Sequence, residues 1–163
     1  DLANMAEVTG AGAASAEPMV FATNRAAIIV APGNPLDITS VDDLTPADLV
    51  VVVCSPDVPC GTYAGEIFDN AGVDVTPDSY EENVKAVATK VMLGEADAGI
   101  VYSTDVLAAG DAASGVEIPD DVNVIAEYPI VAVSDSTVAR AFIEFVAGPV
   151  GQRILASYGF GAP

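Results

Sequence analysis

The chain has no histidine, only five basic residues (Arg25, Lys85, Lys90, Arg140 and Arg153) and only two cysteines among 163 residues. Without histidine it lacks the commonest general base and the commonest transition-metal ligand. Five cations against 24 acidic groups leave a formal charge of −19. No basic face can be assembled from so few, which excludes nucleic acid as a partner. Electrostatic docking on an anionic membrane surface is excluded for the same reason. Two thiols without histidine, Cys54 and Cys60, make no structural zinc site, and their spacing is not that of a CxxC redox pair. An enzyme using Cys60 as a helix-activated thiolate would have no base beside it. No apolar run reaches the ~18 residues of a membrane span, and the opening DLANMAEVTG lacks a signal-peptide pattern.

What is present is an apolar half: 52% of the residues are hydrophobic, enough for a real core in one domain or two small lobes. The acidic surplus reads as a solvated surface, so any anion bound here must be held by neutral donors, namely backbone N–H groups and hydroxyls. The most informative stretch is Leu49–Ala71. Leu49–Val53 is an unbroken apolar run that predicts a strand buried on both faces. Tyr63, Ala64, Ile67, Phe68 and Ala71 then recur at helical spacing. The turn Ser55–Thr62 thus carries the chain from a strand's carboxyl end to a helix's amino end, where open α/β sheets bind ligands and unpaired N–H groups favour an anion. Cys54 and Cys60 flank this turn, as a local disulfide or as two buried thiols. A disulfide would imply an exported protein.

Elsewhere, Pro18–Phe21 and Ala26–Ala31 read as extended segments, and Ser40 with Asp43 as the cap of a short helix. Asp74–Ser79 is a strand candidate. Val84, Val87, Ala88, Val91 and Met92 stripe a helix stopped by Gly94, and Ala98–Tyr102 is a further buried strand. A helix opens at Ser103 with its own hydroxyl as cap. Tyr128–Val133 could run beside Ala26–Ala31, and two helices follow, the first striped by Val138, Ala141, Phe142, Phe145 and Val146. Strands alternating with helices predict an α/β fold with a mainly parallel sheet and flanking helices. Three strand-end loops converge as candidate donors: Pro59-Cys60-Gly61, Glu82-Asn83-Val84 and Tyr102-Ser103.

FATN at Phe21–Asn24, VPCGTYA at Val58–Ala64, EENVKAV at Glu81–Val87, GEADAGIVYSTDV at Gly94–Val106, EYPIVAV at Glu127–Val133 and GQRILASYGF at Gly151–Phe160 keep a characteristic order and spacing. Together they resemble the molybdate-binding proteins of molybdate ABC importers. The resemblance implies a periplasmic-binding-protein-like fold with one complete lobe, 27–127, and the remnant of a second, 1–26 and 128–163. It implies a tetrahedral oxyanion, molybdate or tungstate, held by hydrogen bonds alone in an interlobe cleft, with no cofactor, no bound metal and no catalysis. The donors it implies are the backbone N–H groups of Cys60 and Val84 and the hydroxyl of Tyr102. The family's serine ligands are expected upstream of Asp1, so the chain resembles a member lacking its amino-terminal portion. A membrane permease is the implied partner, and the implied location is periplasmic or extracellular, with a lipid anchor open for the precursor. The alternatives are a general, sulfate-like oxyanion binder and a non-binding fragment that self-associates through its incomplete lobe.

Residues and resemblance disagree on one helix start. Ser79-Tyr80-Glu81-Glu82 reads as a capping box, which would commit the Val84 N–H to the Tyr80 carbonyl. The resemblance needs that N–H in the first turn, with the cap near Glu81, and this second reading is the one adopted.

Overall fold

Asp1 accepts the Asn4 N–H at 2.9 Å and so opens the first helix, α1 (Leu2–Gly10), in the computed structural model, which describes residues 1–163. The extended segments on either side of Asn24 form one strand, β1 (Met19–Val30). There follow β2 (Val51–Cys54), α2 (Pro59–Ala71), β3 (Ser79–Glu81), α3 (Val84–Met92), β4 (Ala98–Tyr102), α4 (Ser103–Ala109), β5 (Ser114–Glu117), β6 (Ile125–Ile130), α5 (Thr137–Ala147) and α6 (Pro149–Ser157). The chain divides into two compact units, one of Asp1–Asn24 with Ile125–Pro163, the other of Arg25–Val124.

In the Arg25–Val124 unit the strand order is β3-β2-β4-β1-β5. The first three strands are parallel, with Cys54 opposite Glu81 and Val52 opposite Gly99. Beyond β4 the sheet turns antiparallel, Ala26 lying opposite Tyr102 and Ala27 opposite Glu117. Alternation along the strands sorts the core into two layers. Val51, Val53, Ile28 and Ile100 share one cluster with Ala64, Ile67 and Phe68 of α2. Val52, Cys54, Ile29 and Val101 share the other with Val87, Ala88 and Val91 of α3. Each such buried valine or isoleucine contributes ~2 kcal/mol of apolar transfer. Gly99 lets α3 come close: a Cβ there would fall 2.6 Å from Val87 Cγ1 and 2.7 Å from the Val52 carbonyl oxygen.

Several expected boundaries move for identifiable reasons. β2 begins at Val51 rather than Leu49, because the preceding N–H groups are taken elsewhere: Leu49 donates to the Pro46 carbonyl at 3.1 Å and Val50 to the Asp97 carboxylate at 2.8 Å. Asp74–Ser79 is not a strand; pairing begins only at Ser79, opposite Val52. Tyr128–Val133 does not run beside Ala26–Ala31. Both edges of Ala27–Val30 are filled by β4 and β5, so β6, which pairs with β1, lies along its earlier residues.

The other unit is built on aromatic contacts. The Tyr128 ring meets Phe21 at 6.5 Å and Phe160 edge-on at 5.7 Å between centroids. Thr23 and Gly161 exchange backbone hydrogen bonds of 3.0 and 2.9 Å, and the Gln152 side chain donates to the Phe21 carbonyl at 2.8 Å. On α5 and α6, by contrast, Val138, Phe142, Phe145, Ile154 and Tyr158 stay exposed.

Candidate anion-binding site

Because β3, β2 and β4 are parallel neighbours, their carboxyl ends lie along one sheet edge, and the three segments that follow them start there. After β2, the Ser55 N–H prolongs the ladder by donating to the Glu81 carbonyl at 2.8 Å, and a turn closes from the Val58 N–H to the Ser55 carbonyl at 3.1 Å. Pro59 then takes the first position of α2, where a missing N–H costs nothing. The helix's first bonds run from Gly61 and Thr62 to the Val58 carbonyl, at 2.9 and 3.1 Å. The Cys60 N–H meets no carbonyl. A disulfide ties Cys60 back to Cys54, with their Cα atoms 5.6 Å apart. Gly61 is demanded by the tightness of this turn, since a Cβ there would fall 2.0 Å from the Ser55 carbonyl oxygen.

The start of α3 keeps Val84 in the first turn, as the adopted reading has it, but moves the cap on from Glu81. Its N-cap is Asn83, extended at φ −161° and ψ 164°, whose side-chain oxygen accepts the Ala86 N–H at 3.1 Å. Neither Ser79 nor Glu81 caps the helix. Ser79 instead donates its hydroxyl to the Glu81 carboxylate at 2.7 Å, and Lys90 Nζ reaches both, at 3.1 Å to Ser79 and 2.6 Å to Glu81. Val84 is therefore the first residue of the helix, and its N–H makes no bond to Tyr80 or to any other carbonyl. The Lys90 ammonium and the Ser79 hydroxyl together hold the Glu81 carboxyl below its ordinary range.

Tyr102 closes β4 and is also the N-cap of α4, so the helix starts one residue earlier than a Ser103 cap would place it. The Tyr102 N–H donates to the Asp105 carboxylate at 3.1 Å, and its ring stands edge-on to Tyr63 at 6.4 Å. Burial raises the Asp105 carboxyl above its ordinary range, opposed by the Tyr102 N–H and by the charge of Lys85. Cys60 is part of the apolar cluster under α3, and Val84 and Tyr102 pack against that same cluster. No group of three or more Cys, Asp or Glu side chains is arranged to hold a metal ion. Asn83, Asp105 and the Ser79–Glu81–Lys90 network were not foreseen; an Asn directly before the striped helix was the available signal for the first.

The model of the bacterial extracellular solute-binding protein family matches residues 1–161. The chain belongs to that family. Its description is that of a binding protein, not of an enzyme, and no helix of the chain is long and apolar enough to cross a membrane. The molybdate-binding protein of Mycobacterium tuberculosis is 40% identical over 166 residues, covering 100% of this chain. The chain spans 64% of that relative's length. The periplasmic molybdate-binding protein of Azotobacter vinelandii matches in structure with a TM-score of 0.79 and 16% identity, over 100% of this chain and 76% of its own. The sulfate-binding protein of M. tuberculosis matches with a TM-score of 0.74 and 23% identity, over 98% of this chain and 66% of its own. At these identities the two likenesses establish the fold alone, which a molybdate-binding protein and a sulfate-binding protein share.

Proposed function

We propose that this chain is the substrate-binding component of an ABC importer and takes a tetrahedral oxyanion, molybdate or tungstate, through neutral donors. The donors in the Arg25–Val124 unit are the Cys60 N–H, the Val84 N–H and the Tyr102 hydroxyl. The observation that carries this reading is the pair of first-turn N–H groups, Cys60 and Val84, which meet no carbonyl and follow neighbouring parallel strands. Two helix amino ends aimed from one sheet edge favour a dianion without any basic side chain, as a chain of charge −19 requires. The 40% identity to a molybdate-binding protein supports the choice of oxyanion. Export to the periplasm or cell surface and delivery to a membrane permease belong to the same reading.

Titration calorimetry with molybdate, tungstate and sulfate tests it. The expected result is molybdate and tungstate binding at least about tenfold tighter than sulfate, a difference of ~1.4 kcal/mol. Equal affinity for sulfate would make the chain a general oxyanion binder, and no heat with any of the three would remove the oxyanion reading.

A second reading, a fragment that self-associates instead of binding solute, is favoured by the exposed Val138, Phe142, Phe145, Ile154 and Tyr158 on α5 and α6. Light scattering separates the two, a monomer at all concentrations arguing against self-association.

A further inference from the structure

The chain has two lysines, and both lie on α3. Lys85 lines a groove together with Asp105, the acid that accepts the Tyr102 N–H. Lys90 holds Glu81, the last residue of β3, in an ion pair of 2.6 Å. In a chain with 24 acidic residues, the two lysines thus stand beside Glu81 and Asp105, one acid just ahead of Val84 and one bonded to the Tyr102 N–H. The Glu81 pair is also well covered: its side chain is only 13% exposed and that of Lys90 32%.

Geometry gives the pair a direction. Glu81 lies three residues before Val84, where an extended carboxylate would stand beside the first N–H groups of α3 and compete with or repel a dianion. Ser79 and Glu81 lie on the same face of β3, two residues apart. Lys90 is six residues beyond Val84, about 9 Å up the helix at 1.5 Å per residue. The bonds among Ser79, Glu81 and Lys90 therefore pull the carboxylate back along the strand and neutralise it. We propose that Lys90 is a positioning residue for the oxyanion: it withdraws and cancels the Glu81 carboxylate, so that the Val84 N–H faces solute instead of an intramolecular anion. This rests on the oxyanion reading above and adds to it a residue that never touches the ligand.

The test is a cycle of Lys90→Met, Lys90→Arg, Glu81→Gln and the double variant Glu81→Gln/Lys90→Met in the 163-residue chain, titrated with molybdate by calorimetry. Lys90→Met should weaken binding at least about fivefold, the effect of one uncompensated charge several ångströms from a dianion in a wet site. Lys90→Arg should stay close to wild type, and the double variant should recover most of the loss, which a purely structural lysine would not allow. Wild-type binding with no effect of Lys90→Met, or a double variant as weak as Lys90→Met, overturns the proposal and leaves the oxyanion reading standing. No molybdate binding by the wild type removes the reading and the proposal together. Carboxyl-carbon NMR gives a readout independent of ligand: the Glu81 titration midpoint should rise in Lys90→Met, and an unmoved midpoint overturns the proposal.

Discussion

Asn123 brackets Ala26: its side-chain oxygen accepts the Ala26 N–H at 3.1 Å while its side-chain nitrogen donates to the Ala26 carbonyl at 3.0 Å. A side chain here takes the place of a strand neighbour, one residue before β5 begins its pairing at Ala27. Ala26 is 4% exposed and lies opposite Tyr102, so its polar groups need these partners. The Asn123 nitrogen also reaches the Ile118 carbonyl at 3.1 Å, fastening the loop after β5. Asn123→Ala should destabilise by about 2 kcal/mol, the cost of leaving buried backbone groups unpaired. Asn123→Asp should be no better, since it keeps the acceptor but loses the donor. Urea unfolding of the two variants against wild type checks this, and a change below ~0.5 kcal/mol would show that water replaces the bracket.

The elements with strong local pattern were legible in the sequence, and those decided by distant partners were not. Val51–Cys54, α3 and Ala98–Tyr102 announce themselves through apolar runs and a helical stripe. The 3₁₀ turn Val41–Leu44 follows its cap signal as well, with Asp43 accepting the Ser40 N–H at 3.1 Å. The start of α3 was ambiguous because Ser79 and Asn83 are both good caps, and what removes Ser79 is Lys90, eleven residues away in the chain. The place of β6 along β1 is not legible locally, because nothing in the sequence reveals that β4 and β5 fill both edges of Ala27–Val30. The strand–helix pattern marks the loops of Cys60, Val84 and Tyr102, and the resemblance marks the donor atoms; the bonds of Asn83 to the Ala86 N–H and of Asp105 to the Tyr102 N–H have no such signal.

Two carboxyls should give opposite dependence of stability on pH. Glu81 is held below its ordinary 4.5 by Lys90 and Ser79, so its contribution is present above that value and is lost as pH falls through the folded-state value. Asp105 is raised above its ordinary 3.8 by burial, so its ionisation destabilises the fold as pH rises through the folded-state value, and that penalty is absent below 3.8. Glu81→Gln should therefore lower stability at neutral pH, with the difference from wild type shrinking in acid. Asp105→Asn, which keeps an oxygen for the Tyr102 N–H, should raise stability at neutral pH and match wild type in acid. Denaturant midpoints across the acid range decide both signs.

The disulfide makes a third prediction. A denatured, unreduced sample should show no free thiol, because the chain's two cysteines are joined. Reduction should cost about 2 kcal/mol, the chain-entropy value for so short a ring. Under the proposed function it should also weaken oxyanion binding modestly, because the bridge stiffens the turn that presents the Cys60 N–H. Unchanged affinity after complete reduction would separate the bridge from the site.

The sharpest test of the site uses the conformation at the start of α3. Val84 occupies the first helical position, where proline is well accommodated and where its missing N–H removes no intrahelical bond. The preceding Asn83 is extended, at φ −161° and ψ 164°, the region a residue before proline prefers. Val84→Pro thus deletes one backbone donor while leaving the cap and the helix in place. Its thermal midpoint should stay near wild type, and its molybdate affinity should fall about thirtyfold, the ~2 kcal/mol of a hydrogen bond to a charged group. Val84→Ala, which keeps the N–H but trims the side chain, should bind within about threefold of wild type. If Val84→Pro folds and binds undiminished, the Val84 N–H is not a ligand, and the candidate site contracts to Cys60 and Tyr102.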